Sequence, residues 1–287
     1  MQALRRAALS WQVKARPAVV VEVLRSRGSV PREAGTRMLV AADEVLGTIG
    51  GGHLELQAIA QARSMIAAGA AAATSASTES HVALGPSLGQ CCGGVLDLRF
   101  TPLAADRPEA WDVVAPRFTL QLYGAGHVGR AIARLLAGIA CKVQWIDERE
   151  SEFPGDALPS HIERLCVEPV QAEVDAAPPG AAFLVLTHSH DLDMALTQAI
   201  LARGDFGFFG LIGSKTKRAR FEQRLHQRGV DQALIDRMVC PIGLPGISGK
   251  EPEVIAVAVV AQLLAAFAAQ PQAVDQHHAR QTQELET

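Results

Sequence analysis

The run from Phe118 to Asp147, FTLQLYGAGHVGRAIARLLAGIACKVQWID, limits the possible folds more than any other stretch of the chain. Phe118 to Tyr123 is apolar and β-prone. Gly124, Gly126 and Gly129 complete a G-x-G-x-x-G, a helical pattern follows, and a second apolar run ends on Asp147. In such a strand–turn–helix–strand unit each glycine has a mechanical role. The first makes the tight turn, the second lets backbone approach a phosphate, and the third lets the helix pack closely on the sheet. The helix start offers N–H groups without internal acceptors and a partial positive charge, so Gly124, Gly126, His127 and Gly129 are candidate contacts to a phosphate-bearing ligand. Asp147 stands where units of this kind place a carboxylate for a ribose hydroxyl.

A chain of 287 residues favours two domains. Before the glycine motif the pattern is α+β. Ala3–Val13 reads as an amphipathic helix with Leu4, Ala8 and Trp11 on one face, followed by a strand over Ala18–Leu24 and a hairpin partner in TRMLV. A helix over Leu54–Ala68 and strands over His81–Leu84 and Val95–Phe100 complete this part. The expected organisation is a smaller N-terminal α+β domain over 1–100, a linker over 101–117 rich in Pro, Asp, Arg and Glu, and an α/β, Rossmann-like domain over 118–269. Its sheet is expected to be mostly parallel, because strands at His161–Val167, Phe183–Leu186 and Phe206–Ile212 alternate with helices at Asp193–Ala202, Lys215–Gln227 and Gln232–Met238. A final helix, Pro252–Ala268, is apolar nearly all round and has to pack on the sheet or a partner. Residues 270–287, rich in Gln, His and Glu, read as a disordered tail.

Net charge is −3 and no long basic run occurs, which argues against nucleic acid or an anionic membrane as the main partner. The N-terminus lacks the apolar core of a signal peptide, and no apolar run is long enough to span a bilayer. Five irregularly spaced cysteines fit reduced thiols, so the expected location is cytoplasmic.

Several shorter stretches carry chemistry. Cys91 and Cys92 are adjacent in a glycine turn, where neither a relaxed disulfide nor a C-x-x-C zinc knuckle is available. They are either two small residues packed in a turn or thiolates placed for a soft metal, sulfur transfer or redox chemistry. GTIGGGHLE puts Gly51, Gly52 and His53 at a helix start, either as an anion cradle flanked by Glu55 or as a turn needed for backbone geometry. LTHSHDLDMA follows a strand, which brings His188, His190, Asp191 and Asp193 to the C-terminal edge of the sheet. A zinc centre lacks ligands there. A histidine hydrogen bond to a ligand is favoured, and Asp191 or Asp193 serves as helix cap. At LIGSKTKRARF, Ser214 marks the turn, while Lys215, Lys217, Arg218 and Arg220 crowd the helix start; they contact an anion or form a solvated basic face. Cys240 and Lys250 lie in a long Gly–Pro loop that reads as a lid or binding loop, and Cys141 and Cys166 read as core thiols.

GSVPREAGTRM, GTIGGGHLE, LGPSLGQCCGGVLDL, LYGAGHVGRAIARLL, THSHDLDMAL, GLIGSKTKRARF and CPIGLPGISGKEPEVIAVAVVAQLL occur in this order. Together they resemble the XdhC/CoxI family over nearly the whole chain to about Ala268. The resemblance implies a non-catalytic accessory role: binding molybdenum cofactor (molybdopterin), helping it acquire its terminal sulfido ligand and delivering it to xanthine dehydrogenase. It implies contacts with cofactor-biosynthesis proteins, and sulfur supplied by a NifS-like cysteine desulfurase. The family's cysteine motif falls on Cys91 and Cys92, candidates for contact with molybdenum or its sulfido group; which of the two acts is left open. Its glycine motif falls on Gly124, Gly126 and Gly129. Bound as cargo, the cofactor would sit in the cleft between domains, its phosphate at the glycine loop. The apolar final helix makes a homodimer plausible. The alternative from another class is an NAD(P)-dependent oxidoreductase using the same glycine loop and Asp147, for which His188, His190 and Lys215 are the available proton-relay residues.

Overall fold

A computed structural model describes residues 2–69, 77–84, 94–111 and 115–268. The chain divides into two compact units between residues 114 and 115.

The first unit is a five-stranded antiparallel sheet with a helix on each face. Helix α1 (Gln2–Val13) precedes β1 (Ala18–Arg27), β2 (Arg37–Ala41) and β3 (Val45–Gly47); α2 (Gly52–Ala67), β4 (Thr78–Ala83) and β5 (Val95–Pro102) follow, in sheet order β3-β2-β1-β5-β4. Side chains alternate along a strand, so β1 feeds both faces. Val19, Val21 and Val23 pack with Leu54, Ala58 and Ala62 of α2, whereas Ala18 and Val20 pack with Ala8 and Trp11 of α1. Beyond α1 the second face carries a charged row, with Arg37 opposite Glu22, Glu22 opposite Arg99, and Arg99 opposite Glu79.

Much of the expected linker belongs to this unit. Strand β5 runs to Pro102, and Leu103 and Trp111 are buried in the α1 core. The Trp111 indole N–H donates to Asp106 at 3.0 Å, and Arg37 stacks on its ring. The polar composition of the stretch hid two apolar anchors, which decide where it packs.

The second unit contains β6 (Thr119–Tyr123), α3 (His127–Leu136), β7 (Lys142–Asp147), β8 (Ile162–Cys166), β9 (Ala182–Val185), α4 (His190–Arg203), β10 (Phe208–Leu211), α5 (Lys215–Gln227), α6 (Gln232–Asp236), β11 (Met238–Val239) and α7 (Pro252–Ala268). Its six strands are ordered β11-β10-β9-β6-β7-β8 and all pair in parallel. Both faces are covered, as an all-parallel sheet requires. Leu120 and Leu122 of β6 face α3 and α7, while Tyr123, Phe183 and Val185 face the core shared with α4, α5 and α6. The apolar final helix therefore finds its cover within the unit. Ala256, Val259, Val260 and Leu263 bury against the same core as α3, and Pro252 occupies the first turn, where no N–H is needed. Strand β11 takes Met238 from the end of the expected helix; two residues carry no periodicity, and only pairing with β10 makes them a strand.

Candidate functional site

Strand β6 has β7 on one side and β9 on the other, so the strand order reverses at its C-terminal end. Open α/β sheets bind ligands at such a crevice. Here it is a small, partly open cleft lined, among the described residues, by residues of the second unit. Tyr123 and Gly124 line it from β6, Asp147 and Glu148 from the end of β7, and Thr187 and His188 from the segment after β9.

The three glycines of the motif differ in what holds them. Gly124 has φ +116°, and a Cβ there would lie 2.3 Å from the Leu186 carbonyl oxygen. A Cβ on Gly129 would lie 2.0 Å from the Gly124 oxygen. These two are required by the protein's own backbone. Gly126, with φ −67° and an extended ψ, has nothing within 4 Å of where a Cβ would stand. Among the described residues, the N–H groups of Gly126, His127, Val128 and Gly129 have no acceptor; the first to bond back is that of Arg130, on the Gly126 oxygen at 2.9 Å. His127 is exposed at the first position of α3. Of the three motif glycines, Gly126 alone combines free donors with unfilled space.

Asp147 is occupied differently from the expectation. It is buried, and its Oδ2 accepts from the Ala125 N–H at 2.7 Å and from the Arg149 guanidinium at 3.0 Å. Its Oδ1 accepts from the Arg149 N–H and from Arg149 Nε, each at 2.9 Å. Burial alone would raise its pKa, but the Arg149 side chain and the two backbone N–H groups outweigh that and hold the carboxyl below its ordinary range. Arg149 and Arg130 in turn share Glu152. Asp147 thus ties the glycine loop to β7, with four bonds already accepted and little capacity left for a ribose hydroxyl. Sequence reasoning placed the acid correctly and missed the arginine two residues later.

The edge formed by β9 and β10 is organised by a second buried acid. Asp193 accepts from the Thr187 N–H at 3.1 Å and the Thr187 hydroxyl at 2.7 Å, and pairs with Lys217 Nζ, which also donates to the Ile212 oxygen at 2.8 Å. Neither Asp191 nor Asp193 caps α4. Ser189 does, accepting from the Leu192 N–H at 3.4 Å, because Asp193 is turned inward onto Thr187. Ser214 caps α5 in the same way. Of the four cations at the start of α5, Lys217 is consumed by Asp193, and Arg218 binds Glu222 and the Met238 oxygen. Lys215 and Arg220 are left exposed. His188 lies at the cleft, its Nε2 3.5 Å from Glu148 Oε1, and His190 is exposed at the first position of α4.

The glycine turn of the first unit holds its own anion. Glu55 Oε2 accepts from the Ile49 and Gly51 N–H groups, each at 3.0 Å, and from the Thr48 hydroxyl. Gly51 caps α2, Gly52 begins it, and the exposed His53 meets Gln57. The expected anion cradle is thus filled from within, since Glu55 lies one helical turn after Gly51 and folds back on it. Cys91 and Cys92 lie outside the described residues. Cys141 and Cys240 are buried, with burial pushing the Cys141 thiol up to about 11. Cys166, expected in the core, is exposed because β8 is an edge strand. Among the described residues no cluster of three His, Cys, Asp or Glu is arranged to hold a metal ion, and no helix is long and apolar enough to cross a membrane.

Residues 120–263, which contain the whole cleft, match the XdhC Rossmann domain, and residues 11–76 match the XdhC and CoxI family. The chain belongs to the XdhC family. An uncharacterized relative, YqeB of Escherichia coli K12, is 30% identical over 261 residues, covering 86% of this chain and 43% of its own length. The chain therefore spans less than half of that relative. A solved structure from Bacillus halodurans, described as a xanthine dehydrogenase, shares the fold with a TM-score of 0.69 at 17% identity, covering 95% of this chain and 98% of its own. Within this XdhC-family frame Gly124, Glu148, Thr187 and His188 come together at the cleft, whereas Gly126, His127 and Gly129 lie beyond its lining. The Gly51–His53 turn is occupied by Glu55, and Ser214 and Lys215 stand at the start of α5 without lining the cleft.

Proposed function

We propose that this XdhC-family chain is an accessory protein, without turnover of its own, that binds molybdenum cofactor as cargo. It holds the cofactor while a NifS-like cysteine desulfurase supplies sulfur, then passes it to a xanthine dehydrogenase. Family membership supports this reading, and one geometric observation carries it: the start of α3 leaves four N–H groups unpaired around the open position at Gly126. The terminal phosphate of molybdopterin fits such a site, with Gly126, His127 and Val128 as donors. The cargo supplies the metal and its dithiolene; the chain supplies anchoring, orientation and shelter from oxidation. Cys91 and Cys92 are the thiolates we assign to the molybdenum end.

The oxidoreductase reading shares the glycine loop but loses Asp147, whose acceptor capacity is taken by Ala125 and Arg149. Gel filtration of the full chain after mixing with molybdenum cofactor, with molybdenum measured by mass spectrometry, separates the two. Co-elution of metal with protein, weakened in Cys91→Ala/Cys92→Ala, is the expected result. No co-elution together with tight NADH binding would overturn the proposal.

A further inference from the structure

The carboxylates at the loop ends fall into two kinds. Glu55, Asp147 and Asp193 each accept from backbone N–H groups and hold a loop in place. Glu148 does not. It follows Asp147 directly, lines the cleft with its side chain 29% exposed, and neither of its oxygens takes a hydrogen bond from a described residue. The imidazole of His188 stands beside it at the 3.5 Å already noted, longer than a hydrogen bond. An acid at the mouth of a cleft with its acceptor sites free is placed for a ligand.

A carboxylate only accepts, and its two oxygens in one plane complement two adjacent N–H donors in one plane. The C-terminal edge of the sheet therefore carries two unlike groups. The unpaired N–H groups at the start of α3, beyond the lining of the cleft, take an anion, whereas Glu148 within it repels one and takes donors. A ligand matching both ends carries a phosphate and, away from it, a planar donor edge. The amino-pyrimidinone ring of a pterin has such an edge in its N3–H and 2-amino groups.

We propose that Glu148 recognises the pterin end of the cargo, accepting from N3–H and the 2-amino group. This rests on the molybdenum-cofactor reading above. Asp147, the position a dinucleotide fold would use, is the loop anchor, and the adjacent residue is the specificity determinant. A pterin is preferred over its 2-oxo counterpart, a lumazine, because the lumazine turns an oxygen toward Glu148 in place of the amino donor.

The test uses 6-hydroxymethylpterin phosphate and the corresponding lumazine phosphate as probes, titrated by fluorescence into the full chain and into Glu148→Gln and Glu148→Ala. The wild-type chain is expected to prefer the pterin at least about 10-fold, a charge-assisted pair being set against a repelled oxygen. Both variants are expected to lose that preference while melting at the wild-type temperature, since Glu148 holds no loop. An unchanged pterin-to-lumazine ratio in both variants would overturn the role of Glu148 and leave the cofactor reading standing. Failure of the wild-type chain to bind the pterin phosphate, or binding of ADP-ribose in its place, would overturn the cofactor reading and this proposal with it.

Discussion

Replacing each glycine of GAGHVG by alanine separates a requirement of the fold from a requirement of the ligand. At Gly124 the new Cβ would stand 2.3 Å from the Leu186 oxygen on a backbone with φ +116°; at Gly129 it would stand 2.0 Å from the Gly124 oxygen. Both obstacles are backbone atoms inside a packed core and cannot swing aside. A left-handed or similarly strained backbone costs about 1–2 kcal/mol for a residue with a Cβ, and forcing extra volume into a packed site costs about 1–3 kcal/mol more. Gly124→Ala is therefore expected to lose about 3 kcal/mol, and Gly129→Ala about 2 kcal/mol from the clash alone. At Gly126 the backbone is one any residue adopts and no atom lies within 4 Å. There the substitution should leave stability unchanged or raise it by about 0.5 kcal/mol, by narrowing the unfolded ensemble. Urea titration followed by tryptophan fluorescence reads all three, since Trp145 lies in the core beneath the loop and donates to the Gly124 oxygen. Binding of molybdenum cofactor to Gly126→Ala should nevertheless fall, because the new methyl would occupy the space we propose for the phosphate. A Gly126→Ala protein as unstable as Gly129→Ala would refute the division of roles, and so would a stable variant with undiminished cofactor binding.

Two further outcomes follow from the buried acids. Asp147 is held below its unfolded pKa, so its contribution is fully present above the unfolded carboxylate range and is lost as pH falls through the folded value. Asp147→Asn should cost about 3 kcal/mol near neutrality and show a shallower loss of stability on acidification; parallel acid limbs would contradict the assignment. Lys217→Met leaves Asp193, only 1% exposed, charged without its partner, at a cost of about 3–5 kcal/mol. Adding Asp193→Asn should recover at least half of that, because the amide oxygen still accepts from Thr187. Strictly additive losses in the double-mutant cycle would argue against the pair.

The strands, helices and nucleotide-type glycine turn of the second unit were legible in the sequence because each rests on local information. Alternation along Thr119–Tyr123, the positions of three glycines, and Pro252 at a helix start are properties of neighbouring residues. Family membership was legible for a related reason, since motif order survives without contacts. The occupants of the loops were not legible. Glu55 and Gly51 are near in sequence, yet only the folded turn of Gly50 and Gly51 shows the carboxylate closing the cradle that the glycines seemed to offer. Asp147 reads as a ligand acid in the sequence, whereas in the fold Arg149 and the Ala125 N–H fill it. Asp193 and Lys217, 24 residues apart, meet only because β9 and β10 lie side by side. A carboxylate's role depends on which donors reach it first, and those donors come from segments that only the sheet brings together. The sequence by itself determined that a glycine-rich helix start would stand at the C-terminal edge of a parallel sheet. The tertiary structure decided which carboxylates there are already satisfied, and so left Glu148 facing the cleft with no hydrogen bond from the described residues.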